Sequence, residues 1–360
     1  MDPALDALAA RIRVAAAAGA ALRIRGGGTK DFYGGPLTGD VLDTQVYAGI
    51  IDYEPTELVI TARAGTSLAA VESAMRARGQ MLAFEPPHYA PGGTLGGAVA
   101  SGLSGPRRPY AGAVRDLVLG VKVLDGAGEH LSFGGRVMKN VAGFDVSRLM
   151  TGALGTLGVI TEVSLKCLPL PRDETTVAFE CSADEAIRRG NEWSGQPLPL
   201  SATCFHDGRL AVRLSGALPA VQAAALKLGG EPVADGDALW ASVRDQSHRF
   251  FTAAAKAGKP LWRLSVKSTA PYSDLGGDQL IEWGGALRWL AAGERVESAK
   301  LRAWAVAQGG HATQFRSPET AKAANVFQPL DETMTALHRK LKAVFDPKGV
   351  FNRGRLAPDF

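Results

Sequence analysis

Glycine is the residue that most constrains how this chain folds. The sequence has 360 residues, of which 43 are glycine, and many of these stand in three short clusters rather than in a repetitive tract. Glycine reaches positive φ angles without a clash at Cβ, so a glycine cluster lets the backbone turn tightly and approach a ligand or another backbone closely. Each cluster is therefore a candidate loop for holding a cofactor.

The first cluster is the run RGGGTK, which follows a predicted strand at 22–25. Consecutive glycines let backbone N–H groups converge on one point, and the flanking side chains add donors and positive charge. A diphosphate needs such oriented donors, because a buried charge without partners is costly. A tight surface turn fits this cluster equally well when it is taken alone. The candidate cofactor-binding residues are Arg25, Gly26, Gly27, Gly28, Thr29 and Lys30.

The second cluster, PGGTLGGAVASG, has a small residue at nearly every position. The pattern argues against a Rossmann dinucleotide site, because no predicted strand leads straight into it and no acidic residue follows at the expected distance. A small-residue helix packed in the core is the alternative for this cluster alone. The candidate cofactor-binding residues are Pro91, Gly92, Gly93, Thr94, Gly96, Gly97, Ser101 and Gly102.

The third cluster, GALGTLGVIT, leads into a predicted strand at 157–168. Its glycines let the loop lie against a planar ligand before the strand begins. The candidate cofactor-binding residues are Gly155, Gly158, Val159 and Ile160. Upstream, Lys139 and Asp145 either belong to the site or form an ion pair that holds this loop, and the ion pair is the preferred interpretation.

Composition narrows the class of protein. Apolar residues make up 46% and charged residues 21%, which is ordinary for a globular chain long enough for two domains. A net charge of +4 is too weak an excess to indicate nucleic acid as a partner. The three cysteines lack the spacing of zinc, iron–sulfur or disulfide frameworks. No apolar run reaches the roughly 18 residues of a membrane span, and the N-terminus lacks a basic signal region, so we expect a cytoplasmic protein.

Hydrophobic periodicity and capping signals predict the surrounding elements. Helices are predicted at 3–18, 67–78, 183–193, 218–228, 238–257, 294–307 and 332–345. Strands are predicted at 22–25, 46–53, 58–63, 114–124, 130–133, 157–168, 210–214 and 261–266. Pro169 and Pro171 indicate a domain boundary. The predicted division is 1–170, 171–325 and a C-terminal segment, 326–360, that returns to the first domain.

Together and in this order, the three clusters resemble the FAD-binding domain of the vanillyl-alcohol oxidase and para-cresol methylhydroxylase (PCMH-type) superfamily. The first two clusters match that family's pyrophosphate loops, the third matches its flavin-contacting segment, and FDPKGVFNRGR is similar to its closing segment. The likeness covers about residues 20–170 and the tail, and it is greatest to the FAD-binding subunits of bacterial glycolate oxidase (glycolate dehydrogenase). The resemblance adds Gly112, Asp116, Asn352 and Arg353 to the candidate cofactor-binding residues. Arg353 and Arg355 either neutralise reduced flavin or form a solvated basic tail.

The resemblance implies an α+β fold with two domains: a PCMH-type FAD-binding domain of two α/β subdomains and a smaller α+β cap or substrate-type domain. It implies non-covalent FAD, because the histidine that covalent relatives carry beside the first loop is absent here. Catalytic relatives also carry metal-binding histidine segments that this sequence lacks, so no metal is expected. The implied partners are a larger FAD-containing catalytic subunit, an iron–sulfur subunit and a small hydroxy-acid substrate. Such a complex places the chain in the cytoplasm or peripherally at the inner membrane.

Three functions stay open from the sequence. The preferred one is an FAD subunit of a glycolate-oxidising complex, with its flavin in electron transfer or in support of the catalytic subunit. The others are a stand-alone FAD-linked oxidoreductase acting on a hydroxy acid or alcohol, and a structural subunit whose flavin does not react.

Two residues after the Gly309-Gly310 turn are candidates for substrate chemistry. His311 is the candidate base, and Arg316 is the candidate clamp for a substrate carboxylate. The alternative is a polar strand edge, which is the commoner situation for such residues. Trp283, Trp289 and Trp304 are expected to pack in the core of the second domain.

Overall fold

The computed structural model describes residues 2–135, 145–317 and 325–358, and it divides into two compact units. The first unit comprises Met1–Leu103, Ala113–Leu170 and Ala323–Phe360, and the second comprises Ser104–Gly112 and Pro171–Lys322. Residues 104–112 thus group with the second unit, which a single boundary at 170 did not anticipate. Lys139, the predicted partner of Asp145, lies outside the described residues.

The described chain contains both helices and strands, in runs of one to four elements of the same kind. The α-helices are α1 (Pro3–Ala18), α2 (Leu68–Arg76), α3 (Leu95–Ser101), α4 (Arg108–Ala111), α5 (Val114–Leu117), α6 (Val146–Met150), α7 (Ala183–Ser194), α8 (Leu218–Leu228), α9 (Gly236–Arg244), α10 (Arg249–Lys256), α11 (Ser298–Ala307) and α12 (Glu332–Phe345). The strands are β1 (Leu22–Arg25), β2 (Asp40–Asp43), β3 (Ile50–Glu54), β4 (Val59–Arg63), β5 (Gln80–Met81), β6 (Val118–Leu124), β7 (His130–Gly134), β8 (Val159–Lys166), β9 (Leu168–Pro169), β10 (Asp173–Glu180), β11 (Leu200–His206), β12 (Arg209–Gly216), β13 (Glu231–Pro232), β14 (Leu261–Ser265), β15 (Gly277–Glu282), β16 (Leu287–Ala292) and β17 (His311–Arg316).

The first unit is built on a five-stranded antiparallel sheet in the order β3-β4-β8-β6-β7. Strands β1 and β2 form a separate parallel pair, and β5 pairs with β9. Helix α1 begins after Asp2, whose carboxylate accepts the amide of Ala4, and it ends at Gly19 with φ of 65°. Its buried face packs against β1 and the C-terminal tail in one apolar cluster that includes Leu22 and Phe351. The C-terminal segment is therefore part of the core of this unit.

The second unit is built on an eight-stranded antiparallel sheet in the order β13-β10-β12-β11-β15-β16-β14-β17. One apolar cluster packs strands β10, β11 and β12 against helices α7 and α8. A second apolar cluster packs β14, β16 and β17 against α11. Strand order differs widely from chain order, so residues that are far apart in sequence become neighbours in this sheet.

Several predicted elements differ from the observed ones. The predicted strand at 114–124 is α5 followed by β6, because the carboxylate of Asp116 accepts the amide of Ala113 and starts a helical turn. The predicted helix at 238–257 is interrupted between α9 and α10, where Gln246 takes a positive φ of 57° and His248 caps the second helix. Strands β11 and β16 were not predicted, because both are buried along nearly their whole length and lack the alternation of a half-exposed strand.

Candidate functional site

The first glycine cluster forms a loop that crosses the second cluster at very short distance. A Cβ atom at Gly27 would lie 1.7 Å from the carbonyl oxygen of Gly92, and one at Gly26 would lie 2.4 Å from Oγ1 of Thr94. Of the three consecutive glycines, only Gly28 has a positive φ, of 68°. Gly26 and Gly27 are therefore required by the crossing of two backbones rather than by their own φ angles.

The backbone amides of this first loop are free to bind a ligand. The amides of Gly26, Gly27, Gly28 and Thr29 donate to no backbone carbonyl among the described residues. A backbone N–H group that leaves water needs an acceptor, and successive N–H groups of a loop can bind an anion. The loop therefore fits the oxygens of a diphosphate.

The second glycine cluster folds into α3, and its role differs from that of the first. Thr94 caps the helix by accepting the amide of Gly97 on Oγ1 at 3.2 Å. The amides of Leu95 and Gly96 donate to the carbonyls of Thr66 and Ala64 at 2.9 and 2.8 Å. Because these donors are already used, the start of α3 does not offer them to a phosphate. What α3 offers is a face of small side chains, at Gly97, Ala100 and Ser101.

The third glycine cluster is held against α3 by main-chain hydrogen bonds. The amide of Gly152 donates to Val99 at 3.0 Å, and the amide of Leu154 donates to Ala100 at 2.9 Å. A Cβ at Gly102 would lie only 2.9 Å from the Cα of Gly152, so the two segments need a glycine at their closest approach. The second and third clusters are therefore one packed assembly.

Asn352 in the C-terminal tail ties this assembly to the first loop. Its Oδ1 accepts the amide of Ile24 at 2.8 Å, and its Nδ2 donates to the carbonyl of Leu154 at 2.6 Å. The side chain thereby fixes the spacing between the end of β1 and the third cluster.

A buried ion pair anchors the tail that carries Asn352. Nζ of Lys342 donates to Oδ2 of Asp346 at 2.7 Å and to the carbonyls of Thr156 and Phe351 at 2.6 and 2.9 Å. The carboxylate of Asp346 also accepts the amides of Val350 and Phe351, each at 2.8 Å. Burial lowers the pKa of Lys342, and the hydrogen bond that Lys342 donates to Asp346 opposes that shift. Sequence analysis missed this pair, because a Lys and an Asp four residues apart are indistinguishable from a surface pair.

These segments enclose a groove, which we call the glycine groove. Most of the predicted cofactor-binding residues line it: Arg25, Gly26, Gly27, Gly28, Thr29, Lys30, Thr94, Gly96, Gly97, Ser101, Gly155, Gly158, Ile160 and Asn352. Seven further lining residues of the described chain were not predicted: Ile24, Asp31, Leu37, Thr44, Ala64, Ala100 and Leu154. Arg355, expected either beside the flavin or in a solvated tail, also lines the groove. Ala100 and Leu154 stand inside the quoted clusters, where their neighbours pointed to them. Leu37, Thr44 and Ala64 stand in no motif, and only the fold brings them to the groove.

The other predicted cofactor-binding residues have different surroundings. Asp116 caps α5, the side chain of Val159 is fully buried in the core, and Gly112 ends α4 in the second unit. The guanidinium of Arg353 donates to the carbonyl of Gly19 at the end of α1 and to that of Gly349 in the tail, and its contact with the flavin stays a prediction. Pro91, Gly92, Gly93 and Gly102 do not line the glycine groove, and Gly92 and Gly102 shape its loops through the close approaches described above.

Neighbouring side chains and main-chain carbonyls hold the cations of the groove in place. Nε of Arg25 lies 3.0 Å from Oδ2 of Asp31, and Nζ of Lys30 lies 5.7 Å from the ring centre of Tyr89. Arg355 is buried, and its guanidinium donates to main-chain carbonyls, including that of Gly35 at 2.5 Å. Burial lowers the pKa of Arg355 to about 10, so it stays charged at neutral pH. Among the described residues of the lining, Arg25, Lys30 and Arg355 outnumber the one carboxylate, Asp31, so the groove keeps a positive charge that suits a diphosphate.

His311 and Arg316 lie at the two ends of β17 in the second unit. Five residues of extended strand separate their Cα atoms by about 16 Å. Nε and Nη2 of Arg316 both donate to Oε1 of Gln246, at 3.2 and 3.1 Å. Partial burial, and then the nearby charge of Arg263, lower the pKa of His311. The structure therefore does not bring these two residues together around one small substrate, and each role stays a prediction.

Comparison with known proteins identifies the family. Residues 4–134 match a family model described as an FAD-binding domain. The chain is 49% identical over 335 residues to glycolate oxidase subunit GlcE of Escherichia coli K12, covering 93% of this chain and 92% of that protein. The chain belongs to the GlcE family. FAD is accordingly its cofactor, and it is an FAD-dependent oxidoreductase subunit.

Two curated relatives with other names match a part of the chain, and one solved structure matches nearly all of it. D-2-hydroxyglutarate dehydrogenase of Xanthomonas citri is 34% identical over 123 residues, which is 34% of this chain and 25% of that enzyme. Glycolate oxidase subunit GlcD of Bacillus subtilis is 38% identical over 84 residues, which is 23% of this chain and 18% of that protein. A solved structure of alkyldihydroxyacetonephosphate synthase superposes with a TM-score of 0.65 at 14% identity, covering 96% of this chain and 73% of that one. The predicted α+β, PCMH-type FAD-binding fold of the GlcE-family chain is confirmed.

The described residues offer neither a metal site nor a membrane span. No group of three or more histidine, cysteine or acidic side chains in residues 2–135, 145–317 and 325–358 has a geometry that could hold a metal ion. In the same ranges, no helix combines the length and the apolar composition that a membrane span requires.

Proposed function

We propose that the glycine groove binds FAD without a covalent bond and that the chain works within a complex that oxidises glycolate. The observation that carries the proposal is the set of unused amides at Gly26–Thr29, in a chain whose similarity to GlcE spans nearly its whole length. FAD supplies an acceptor for two electrons when it is bound.

Each part of the groove has a distinct task in this proposal. The amides of the first loop, together with Arg25 and Lys30, bind the diphosphate. The small face of α3 leaves room for a flat ring to approach the backbone. Asn352 holds the first and third segments at the spacing that the ligand requires. Buried Arg355 adds positive charge to the groove while its donors hold the loop.

The side chains of the groove support non-covalent binding. Covalent attachment of a flavin needs a nucleophilic side chain such as His, Cys or Tyr beside the ring. Among the described residues that line the glycine groove, none is of these types. This lining supports a cofactor that is held without a covalent bond.

We further propose that a larger FAD-containing catalytic subunit and an iron–sulfur subunit complete the enzyme. The relative that spans this chain is named as one subunit of glycolate oxidase, and a part of the chain is also similar to a GlcD subunit. In this arrangement the flavin passes electrons between subunits or supports the catalytic subunit. Any association with a membrane is then peripheral and made through the complex. Residues 1–170 with 326–360 serve as the FAD domain, and 171–325 serve as the cap-type domain.

Visible spectroscopy under anaerobic conditions tests this function. The purified chain should show a flavin spectrum, and acid precipitation should release the flavin into the supernatant. Glycolate should bleach the flavin only after the partner subunits are added. Bleaching of the isolated chain would instead establish a stand-alone hydroxy-acid dehydrogenase, and a flavin that stays oxidised during turnover of the complex would establish a structural role. A chain that binds no FAD when FAD is supplied would refute the proposal.

A further inference from the structure

The strand register of the second unit places the side chain of Arg263 between two neighbours on one face of the sheet. Arg263 on β14 lies directly opposite Trp289 on β16 and opposite Thr313 on β17. Directly paired residues of antiparallel strands share a face. The next residues along β14, Trp262 and Leu264, belong to the apolar cluster with α11. Because side chains alternate along a strand, Arg263 lies on the face opposite to that cluster.

The guanidinium of Arg263 lies against aromatic rings, and no carboxylate among the described residues pairs with it. Its Cζ lies 5.2 Å from the ring centre of Trp283 and 6.0 Å from that of Trp289, and both tryptophans are buried. Among the described residues, the guanidinium of Arg263 has no carboxylate within ion-pair distance and no hydrogen-bond acceptor. Arginine recognises carboxylates with a rigid fork of donors, and stacking on aromatic rings prepares that fork without using its N–H groups.

Other arginines of the same unit use their donors for structure. Fully buried Arg288 donates to the main-chain carbonyls of Gly285, Ala270 and Pro271. Arg316 donates twice to Gln246. Arg263 therefore differs from these residues in keeping its hydrogen-bonding capacity available.

His311 lies beside Arg263 on the same face. It is paired with Ser265, two residues along β14, and such diagonal neighbours lie about 7–8 Å apart, within reach of long side chains. The ring nitrogens of His311 make no hydrogen bond with another described residue. Burial and the charge of Arg263 lower the pKa of His311, so its imidazole is neutral at pH 7 and can accept a hydrogen bond.

We propose that Arg263 and His311 form a binding site for a small 2-hydroxy monocarboxylate. The guanidinium of Arg263 binds the carboxylate, and His311 accepts a hydrogen bond from the neighbouring hydroxyl group. The choice of ligand rests on the proposed function, because glycolate is the substrate of the proposed complex, whereas the binding residues all belong to the second unit and are separate from the glycine groove. It also assigns the carboxylate to Arg263 rather than to Arg316, the candidate clamp that the sequence suggested.

Equilibrium binding of glycolate to the full-length chain tests the site. Titration calorimetry measures the affinity, and tryptophan fluorescence reports on Trp283 and Trp289 beside the guanidinium. Arg263→Met should weaken glycolate binding about 30-fold, which corresponds to about 2 kcal/mol at 1.4 kcal/mol per factor of ten. The affinity of the Arg263→Lys chain for glycolate should lie between those of the Arg263→Met chain and the unsubstituted chain, because lysine keeps the charge but lacks the rigid fork of donors.

Arg302→Met is the matched control. Cζ of Arg302 lies 5.5 Å from the ring centre of Trp262, so this variant also removes an arginine from a tryptophan, but on the other face of the sheet. The affinity of the Arg302→Met chain for glycolate should stay within about twofold of that of the unsubstituted chain. His311→Ala should weaken the binding of glycolate. It should leave the affinity for acetate unchanged, because acetate lacks the hydroxyl group.

Four results would overturn the site: no saturable binding of glycolate, an unchanged affinity in a folded Arg263→Met chain, the same loss in Arg302→Met, or an equal loss in Arg316→Met. Circular dichroism confirms folding, and Arg263→Lys serves if Arg263→Met does not fold. Flavin absorbance is recorded for every sample. Loss of glycolate binding with flavin retained refutes only this site, whereas absence of flavin with glycolate still bound refutes only the proposed function.

Discussion

The two units of this chain build their ligand surfaces in opposite ways. In the first unit the surface is backbone: amides of Gly26–Thr29 and a helix face without large side chains. In the second unit the surface is made of side chains, such as Arg263 and His311, that different strands bring together. A backbone surface does not tolerate added atoms, whereas a side-chain surface tolerates them and depends on charge and register. The predictions below test this contrast.

The largest effect is expected from adding one methyl group at the loop crossing of the first unit. Gly27→Ala places Cβ 1.7 Å from the carbonyl oxygen of Gly92, so one loop must move and the amides lose their arrangement. We expect the chain to lose its flavin, measured as the ratio of visible to ultraviolet absorbance after gel filtration.

The control for this variant stands in the partner loop. A Cβ at Gly93 would find its nearest atom, Cδ1 of Leu68, at an ordinary 3.5 Å. Gly93→Ala should therefore retain FAD. Equal flavin content in the two variants would contradict a groove formed by tightly crossing backbones.

The next effect concerns the buried ion pair that anchors the tail. Lys342→Met leaves the carboxylate of Asp346, which is fully buried, without its cation. The free energy of unfolding should fall by about 3–5 kcal/mol, because an unpaired buried charge is costly. Denaturant unfolding measures the loss.

The double variant Lys342→Met/Asp346→Asn separates the pair from its surroundings. It removes the uncompensated charge, so it should be more stable than Lys342→Met alone. If the effects of the two substitutions simply add, the ion pair does not anchor the tail.

The smallest effect is expected in the second unit and depends on pH. Burial, then the nearby His206 and Arg249, lower the pKa of His248 from 6.5 to about 4. The unfolded chain therefore takes up a proton before the native chain does. The contribution of neutral His248 to the free energy of unfolding is complete above about pH 6.5 and is lost as the pH falls toward about 4.

His248→Asn tests this dependence while keeping an acceptor for the amide of Phe250, which Nδ1 of His248 now accepts. Between neutral pH and about pH 4 the variant should lose roughly 1–2 kcal/mol less stability than the original chain, since solvent screens the half-exposed ring. Urea unfolding at both pH values measures the difference. Parallel losses in the two chains would show that His248 is not the titrating group.

Local signals predicted the helices best. Helices α1, α8 and α12 have the predicted bounds, because each combines an apolar stripe with clear end signals within its own residues. The central strands β11 and β16 escaped prediction, because burial on both faces removes the alternation that marks a strand. Most residues of the glycine clusters line the groove, because a loop whose backbone approaches a ligand closely needs consecutive residues with small side chains.

The sequence by itself determined where the backbone turns tightly, where helices such as α1, α8 and α12 begin and end, and which family the loops resemble. These properties depend on the φ freedom, caps and periodicity of neighbouring residues. Only the tertiary structure decided that Asn352 meets Ile24 and Leu154, and that Arg263 rather than Arg316 lies beside His311. These contacts depend on strand register and on the packing of segments that are far apart in the chain. No local sequence pattern specifies which distant residue a side chain contacts.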